Sequence, residues 1–244
     1  MKGSIGHTRL YDLYKYSTLN PFRAEQSSAM KVIAPSHEIL YLPDEGFILR
    51  HIEAAGRVCY KSEDRITEDS AYAFVQRLLD SGHHSVLEHG SITVRFVCDR
   101  GISHELVRHR LASYSQESTR YANYSKNKFG NEITVIRPCF WSEDSPGYQT
   151  WLNAVKQAEQ AYMSLIASGI KPEQARTVLP NSLKTEIIMT CSIREWRHVL
   201  SLRCAGSAHP QMREIMLPLL DDLHQRLPVF FADLYAKYRH DTRK

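Results

Sequence analysis

Ser91-Ile92-Thr93-Val94-Arg95-Phe96-Val97-Cys98 is the stretch on which the fold turns. Ile92, Val94, Phe96 and Cys98 fall on one side of an extended chain, and Thr93, Arg95 and Val97 on the other. A side-chain period of two marks a β-strand. Residues 183–192 alternate apolar residues with Thr and Lys and read as another strand. Shorter strands are expected at 31–35 and 132–137. Gly101 breaks the first pattern, and 102–111 then reads as helix.

The rest of the chain is helical in period. After Pro43, Phe47, Ile48, His51, Ile52, Ala55 and Val58 recur at three- and four-residue steps, with Asp44 placed to cap them. Phe74/Leu78 and Val75/Leu79 support a helix over 67–79, which Ser81-Gly82 ends. Pro146-Gly147 reads as a turn before a long helix over 148–168, and Lys171-Pro172-Glu173 opens a short one closed by Pro180. Residues 193–202 and 210–223 are helical, the latter with Met212, Ile215, Met216, Leu219, Leu220 and Leu223 on one face. Helices interspersed with a few strands predict an α+β fold, a single domain with a central antiparallel-dominated sheet flanked by helices. That domain is expected over 31–244. Residues 1–30, polar and Tyr-rich, read as an N-terminal extension: a natural extension, a mis-set start, or a segment ordered by a partner subunit.

Bulk properties bound the function. The chain has 244 residues, ample for a sizeable core. Its formal charge is +4, from 31 Lys and Arg against 27 Asp and Glu. So mild an excess suits an anionic small ligand and falls short of a dedicated nucleic-acid binder. The five cysteines form no C-x-x-C pair and are odd in number, which fits free thiols in a reducing compartment. No run approaches the roughly 18 apolar residues that span a membrane. The first residues carry Arg9, Asp12, Lys15 and Arg23 without an apolar run, unlike a secretory signal. The expectation is a cytoplasmic protein.

Three constellations could carry chemistry. Arg108-His109-Arg110 stands at a helix end, followed by polar Ser115-Gln116-Glu117-Ser118-Thr119-Arg120 in an expected loop. Guanidinium forks and loop hydroxyls bind phosphate, so two adjacent clusters could hold two phosphorylated ligands; a solvated basic helix end paired with Glu105 and Glu117 is the plain alternative. Gly82-His83-His84-Ser85-Val86-Leu87-Glu88-His89 offers metal-ligand types but not the H-E-x-x-H order that aligns two ligands on one helix face. Arg176, Arg194, Arg197, Arg203 and His209 form a dispersed third set, some of which helix-end capping alone explains. No Gly-rich Rossmann or P-loop signature occurs.

Read together, these segments resemble a family. Arg108-His109-Arg110, seven residues, then Ser118 resembles the R-H-R-x7-S motif of the flavin-dependent thymidylate synthases. Gly82-His83 through Ser85, Glu88 and His89 resembles the family's upstream block. Arg176-x-x-Leu179-Pro180 resembles its R-x-x-L-P block, and Arg194, Leu202-Arg203 and His209 its last block. The similarity spans roughly 31–225.

The resemblance implies a homotetramer with FAD at subunit interfaces. It implies conversion of dUMP to dTMP with a methylene from 5,10-methylenetetrahydrofolate and a hydride from NADPH through the flavin. By position, Ser85, Glu88, Arg108, His109, Arg110, Gln116, Arg194, His198 and His209 would bind FAD. Glu105, Arg108, Gln116, Ser118, Thr119, Arg120, Arg176 and Arg203 would bind dUMP. Arg203 would polarise the uracil, replacing a cysteine nucleophile; no metal is implied. Cys139, outside every block, reads as a structural thiol, and Ser118 as a phosphate donor rather than a nucleophile. Glu105, Ser192 and His198 depart from residues some members carry, and 203–209 is longer than in some members. The competing readings are a metal-dependent nucleotide hydrolase built on His83, His84, Glu88 and His89, and a nucleic-acid binder built on the arginines.

Overall fold

The computed structural model describes residues 30–239; nearly all of the expected extension lies outside the described residues. In chain order the elements are β1 (Lys31–Ile33), β2 (Ser36–Tyr41), α1 (Glu45–Val58), α2 (Ser70–Asp80), β3 (Ser91–Asp99), α3 (Arg100–Leu106), β4 (Ala112–Gln116) and β5 (Thr134–Ile136). They continue with α4 (Pro146–Ala167), α5 (Pro172–Ala175), β6 (Lys184–Ser192), α6 (Ile193–Arg203), α7 (Pro210–Arg226) and α8 (Pro228–Arg239). A 3-10 turn over His84–His89 leads into β3.

Four strands form an antiparallel sheet in the order β2-β3-β6-β4. Its spine is β3 against β6, in unbroken register from Ser91 opposite Ser192 to Asp99 opposite Lys184. β1 and β5 make a separate parallel pair. The alternation read in the sequence becomes two faces. Ile92, Val94, Phe96, Ile187 and Met189 are fully buried, packed with Ile52 of α1, Trp196 of α6 and Phe230 of α8. Trp196 is pinned there by its indole N–H, which donates to the Ile92 carbonyl at 3.0 Å. The opposite face carries Ser91, Thr93, Arg95, Glu186, Ile188 and Thr190 and stays partly exposed. A second core joins α4 to Ile133, Val135 and Leu183.

The structure corrects several local expectations. β3 ends before Gly101, as expected, but α3 starts at Arg100, ahead of 102, so Gly101 lies in its first turn; Asp99 caps the helix from the last strand position, accepting from the Ile102 N–H at 2.7 Å. That helix ends at Leu106, short of 111. The Tyr114 hydroxyl contacts the carbonyls of both Leu106 (2.7 Å) and His109 (2.8 Å), compensating groups that a longer helix would have bonded itself. Residues 115–116 belong to edge strand β4, not a loop; its polarity reflects an exposed outer face. Pro146-Gly147 begins α4, with Pro146 in the first turn and Ser145 as cap. β2 and α8 had no expectation. β2 is a short, mostly exposed edge strand. α8 buries Phe230, Phe231, Leu234 and Tyr238 around much of its surface, so no clean stripe stands out.

Gly90 joins the 3-10 turn to β3, and its carbonyl accepts from Ile193 N–H at 2.8 Å. A Cβ there would come within 2.7 Å of both Ile48 and Ile193 side-chain tips. Gly90→Ala should therefore cost about 1–3 kcal/mol in urea unfolding, the usual range for overpacking. An unchanged midpoint would show that those tips rotate away freely.

Candidate active site

β3 and β6 run in opposite directions and each continues directly into a helix, α3 and α6. The two helices therefore start from opposite ends of the sheet and fold back over its buried face. Their C-terminal ends meet, and there Arg203 of α6 reaches Glu105 of α3. Arg203 Nη1 donates to Glu105 Oε2 at 2.7 Å, Nη2 to the Glu105 carbonyl at 3.0 Å, and Nε to His109 Nε2 at 3.0 Å. On the far side of the imidazole, Nδ1 lies 3.7 Å from Glu195 Oε1. The His198 ring stands edge-on to His109 with centroids 6.0 Å apart.

His109 is only 5% exposed. Burial, then the Arg203 and His198 charges, push its pKa down to about 4, so it is neutral near pH 7. A neutral imidazole has one donor and one acceptor nitrogen. Because Nε2 accepts from Arg203, the ring proton belongs on Nδ1, facing Glu195.

This cluster borders a cleft of about 860 Å³ lined by His84, Glu88, Leu111, Arg194, Glu195 and His198. Arg194 and Glu88 pair across it at 2.6 Å, both about half exposed. Arg110 lines an adjoining groove with Glu88, Ser113 and Ser192. Ser85 lines a third with Tyr60, Phe74, His83 and Arg194. Arg108 and Arg110 are exposed.

The other expected ligand residues sit apart. Gln116 and Ser118 line a groove of about 590 Å³ on the outer face, with Arg95, Tyr121 and Lys184. The Gln116 amide is held by Ser103 Oγ (2.8 Å) and Thr185 Oγ1 (3.2 Å). Arg176 donates to the buried Thr119 hydroxyl at 3.2 Å, and the Arg120 guanidinium lies 5.4 Å from the Tyr121 ring centroid. His209 caps α7 through a 3.3 Å contact from Gln211 N–H, with Phe140 edge-on at 6.0 Å; it does not line the α6 cleft.

Within the described residues, His83, His84, Glu88 and His89 do not converge as ion ligands. The group whose ligand atoms fall within 4.8 Å of one another is His109, Glu195 and His198, where Arg203 already occupies one imidazole nitrogen. Sequence reading missed Glu195 and Tyr114. Glu195 was masked by its position in Ser192-Ile193-Arg194-Glu195, which reads as an ordinary helix-capping box. Tyr114 carried no signal beyond its aromatic side chain.

Residues 48–229 match the sequence model of the thymidylate synthase complementing protein family. The chain is 34% identical over 189 residues to a flavin-dependent thymidylate synthase from Geobacter sulfurreducens, covering 75% of this chain and 80% of the relative. It is 34% identical over 167 residues to that of Pyrococcus abyssi, covering 68% of each. Its fold matches the crystal structure of a UMP/dUMP methylase, PolB, from Streptomyces cacaoi, bound with 5-Br UMP, with a TM-score of 0.67 at 23% identity, over 86% of this chain and 98% of the other. The chain belongs to the flavin-dependent thymidylate synthase family.

The neutral state of His109 has a thermodynamic consequence. An unfolded histidine titrates near its ordinary value of 6.5, whereas this one titrates near 4 when folded. Between those values the unfolded chain holds a proton that the folded chain does not, so stability from this residue is full above pH 6.5 and lost as pH falls towards 4. Melting temperature should fall more steeply over pH 6.5 to 4.5 in the wild type than in His109→Gln. Parallel slopes would remove the assignment of a buried neutral imidazole.

Proposed function

We propose that this chain makes dTMP from dUMP, taking a methylene from 5,10-methylenetetrahydrofolate, with FAD as cofactor and NADPH as the source of reducing equivalents. The observation that carries the reading is the clamped guanidinium of Arg203. Three of its N–H groups are fixed by His109 and Glu105. An arginine has five such donors, so two are left for a ligand.

The residues present fit a flavin dinucleotide. The grooves around α6 are lined by Arg110, Arg194 and His198, and Arg108 is exposed beside this set. Exposed guanidiniums suit a diphosphate, while Ser85, Glu88 and the neighbouring apolar Leu111 offer polar and flat contacts for the rest. When bound, the flavin would supply the hydride that reduces the transferred one-carbon unit. Gln116, Ser118, Thr119, Arg120 and Arg176 would hold dUMP, with Ser118 and Arg120 at its phosphate. His209 would enter the flavin site from the α7 end.

For the chemistry, uracil C5 must become nucleophilic. Four of the five thiols are poorly suited to attack the ring as thiolates. The thiols of Cys98 and Cys204 are pushed up to about 12, chiefly by burial, and burial also raises those of Cys191 and Cys139. The two remaining donors of Arg203 would instead stabilise negative charge as it develops on the pyrimidine carbonyls. Because their direction is set in advance, little reorganisation is needed at the moment of reaction. Glu105 anchors the guanidinium through Nη1 and Nη2 and joins the dUMP site through it.

The groove with Gln116 and Ser118 and the cleft beside α6 are separate within one subunit, and the outer sheet face between β2 and β4 is partly open. Packing of copies against that face, in a homotetramer, would bring the two sets together. No helix among the described residues is long and apolar enough to cross a membrane.

The purified protein should be yellow and form dTMP only when dUMP, methylenetetrahydrofolate and NADPH are all supplied; a colourless protein that takes up no FAD would overturn the proposal. Arg203→Ala should keep its flavin and lose about 100-fold or more in turnover, the scale of removing one preorganised donor. Arg203→Lys should fare little better, because one ammonium cannot span His109 and Glu105.

A further inference from the structure

We infer that Glu195 is a positioning residue, which acts through His109 to fix the direction of the Arg203 guanidinium. The inference rests on Arg203 as the group that polarises the pyrimidine, and goes beyond it by naming what holds that group in place.

Glu195 and Arg203 lie on the same helix, eight residues apart. That separation is about 12 Å along the axis, too far for direct contact. His109 comes from the chain after α3 and stands between them, one ring nitrogen towards each. Glu195 is 7% exposed and His109 5%, so neither is a solvated surface group. The base of Glu195 is rigid: it sits in the first turn of α6, its N–H donating to Ser192 Oγ at 3.2 Å, between the buried Ile193 and Trp196.

In a capping box, a glutamate at this position turns back to the N–H of the cap residue. Here that residue, Ser192, is the last of β6 and pairs with Ser91, and the Glu195 carboxylate faces the imidazole instead. At 3.7 Å it is beyond a normal hydrogen bond and acts through its charge. Negative charge beside Nδ1 favours the tautomer with its proton there. Nε2 then keeps its lone pair for the Arg203 Nε–H. In the other tautomer two N–H groups would confront each other across 3.0 Å. Arg203 would lose one of its three anchors, and the guanidinium plane would be held only from the Glu105 side.

The depressed pKa of His109 supports the same picture, since a protonated ring would put two donors and a positive charge against Arg203. His198 closes the third side of the ring. Its edge-on contact carries no hydrogen bond, so the tautomer is left to the carboxylate.

The test uses the FAD-loaded enzyme with saturating folate and NADPH, comparing Glu195→Leu, Glu195→Gln and Arg203→Ala. Glu195→Leu should lower kcat about 10- to 100-fold while the KM for dUMP moves less than about threefold, because substrate still binds but meets a misaligned guanidinium. Glu195→Gln keeps the side chain's size but removes the charge that acts across 3.7 Å, and should lose kcat as the leucine variant does. If the leucine variant does not fold, Glu195→Asp, which withdraws the carboxylate by one methylene, replaces it with the same expected split. Wild-type kcat in the leucine, glutamine or aspartate variant would overturn the inference while Arg203→Ala stays inactive. Full activity in Arg203→Ala would overturn the Arg203 assignment, and the positioning role with it.

Discussion

The pairing of β3 with β6 is the constraint from which the rest follows. Its register, Ser91 opposite Ser192 through Asp99 opposite Lys184, sets which side chains point inward along both strands at once. A slip of one residue would turn Phe96, Val94 and Ile92 outward and bring Arg95 and Thr93 into the core. It would also move the starting points of α3 and α6, which grow from the strand ends without a connecting loop. Glu105, His109, Glu195 and Arg203 meet because those helices return over the same buried face. The site is thus a product of sheet register, secured at its edge by Tyr114, which holds the Leu106 and His109 carbonyls while its own strand pairs with β6.

Charge in the cluster is handled by neutralising one member and pairing the others. A buried histidine close to an arginine is destabilising if protonated, so His109 gives up its proton and becomes an acceptor. That change of role makes an arginine–histidine contact at 3.0 Å favourable. Glu105 balances the guanidinium from the other side, and both groups are partly exposed. An isolated surface pair of this kind contributes at most about 1 kcal/mol to stability. The arrangement is better understood as orientation than as support for the fold.

The sequence disclosed the strands that alternate and the helices that carry a stripe, since those patterns are physical consequences of one-sided burial. β3, β6, α1 and α7 are of that kind. β4 was hidden because Ser113 and Ser115 face outward from an edge strand and read as loop polarity. α8 was hidden for the opposite reason, being buried on too much of its surface to show a stripe. The R-H-R segment read as a basic helix end of three similar residues. In space they divide: Arg108 and Arg110 are exposed, while His109 turns into the protein. Spacing along a chain cannot separate those roles, because they depend on where α3 stops. Glu195 was invisible for a related reason. Its partner is 86 residues away in sequence, and nothing in Ser192-Ile193-Arg194-Glu195 distinguishes a capping glutamate from one turned to a distant imidazole.

The same register explains why the proposed ligand residues lie in separate grooves of one chain. Alternation places Arg95, Ser115, Glu186 and Ile188 on the outer face, where the groove with Gln116 and Ser118 opens. Helices α1, α3, α6, α7 and α8 pack over the inner face, and the cleft lined by Arg194 and His198 opens beside α6. Ser91, Ser113, Thr190 and Ser192, small and polar, lie on the outer side of the β4–β6 ladder next to Arg110 and Glu88. Small side chains there leave room for a second surface to approach the backbone closely. Thr93 and Thr190, bonded to each other at 2.9 Å, already satisfy one another and ask little of that partner. In the proposed homotetramer, this partly open face is the one that a second copy of the chain would cover.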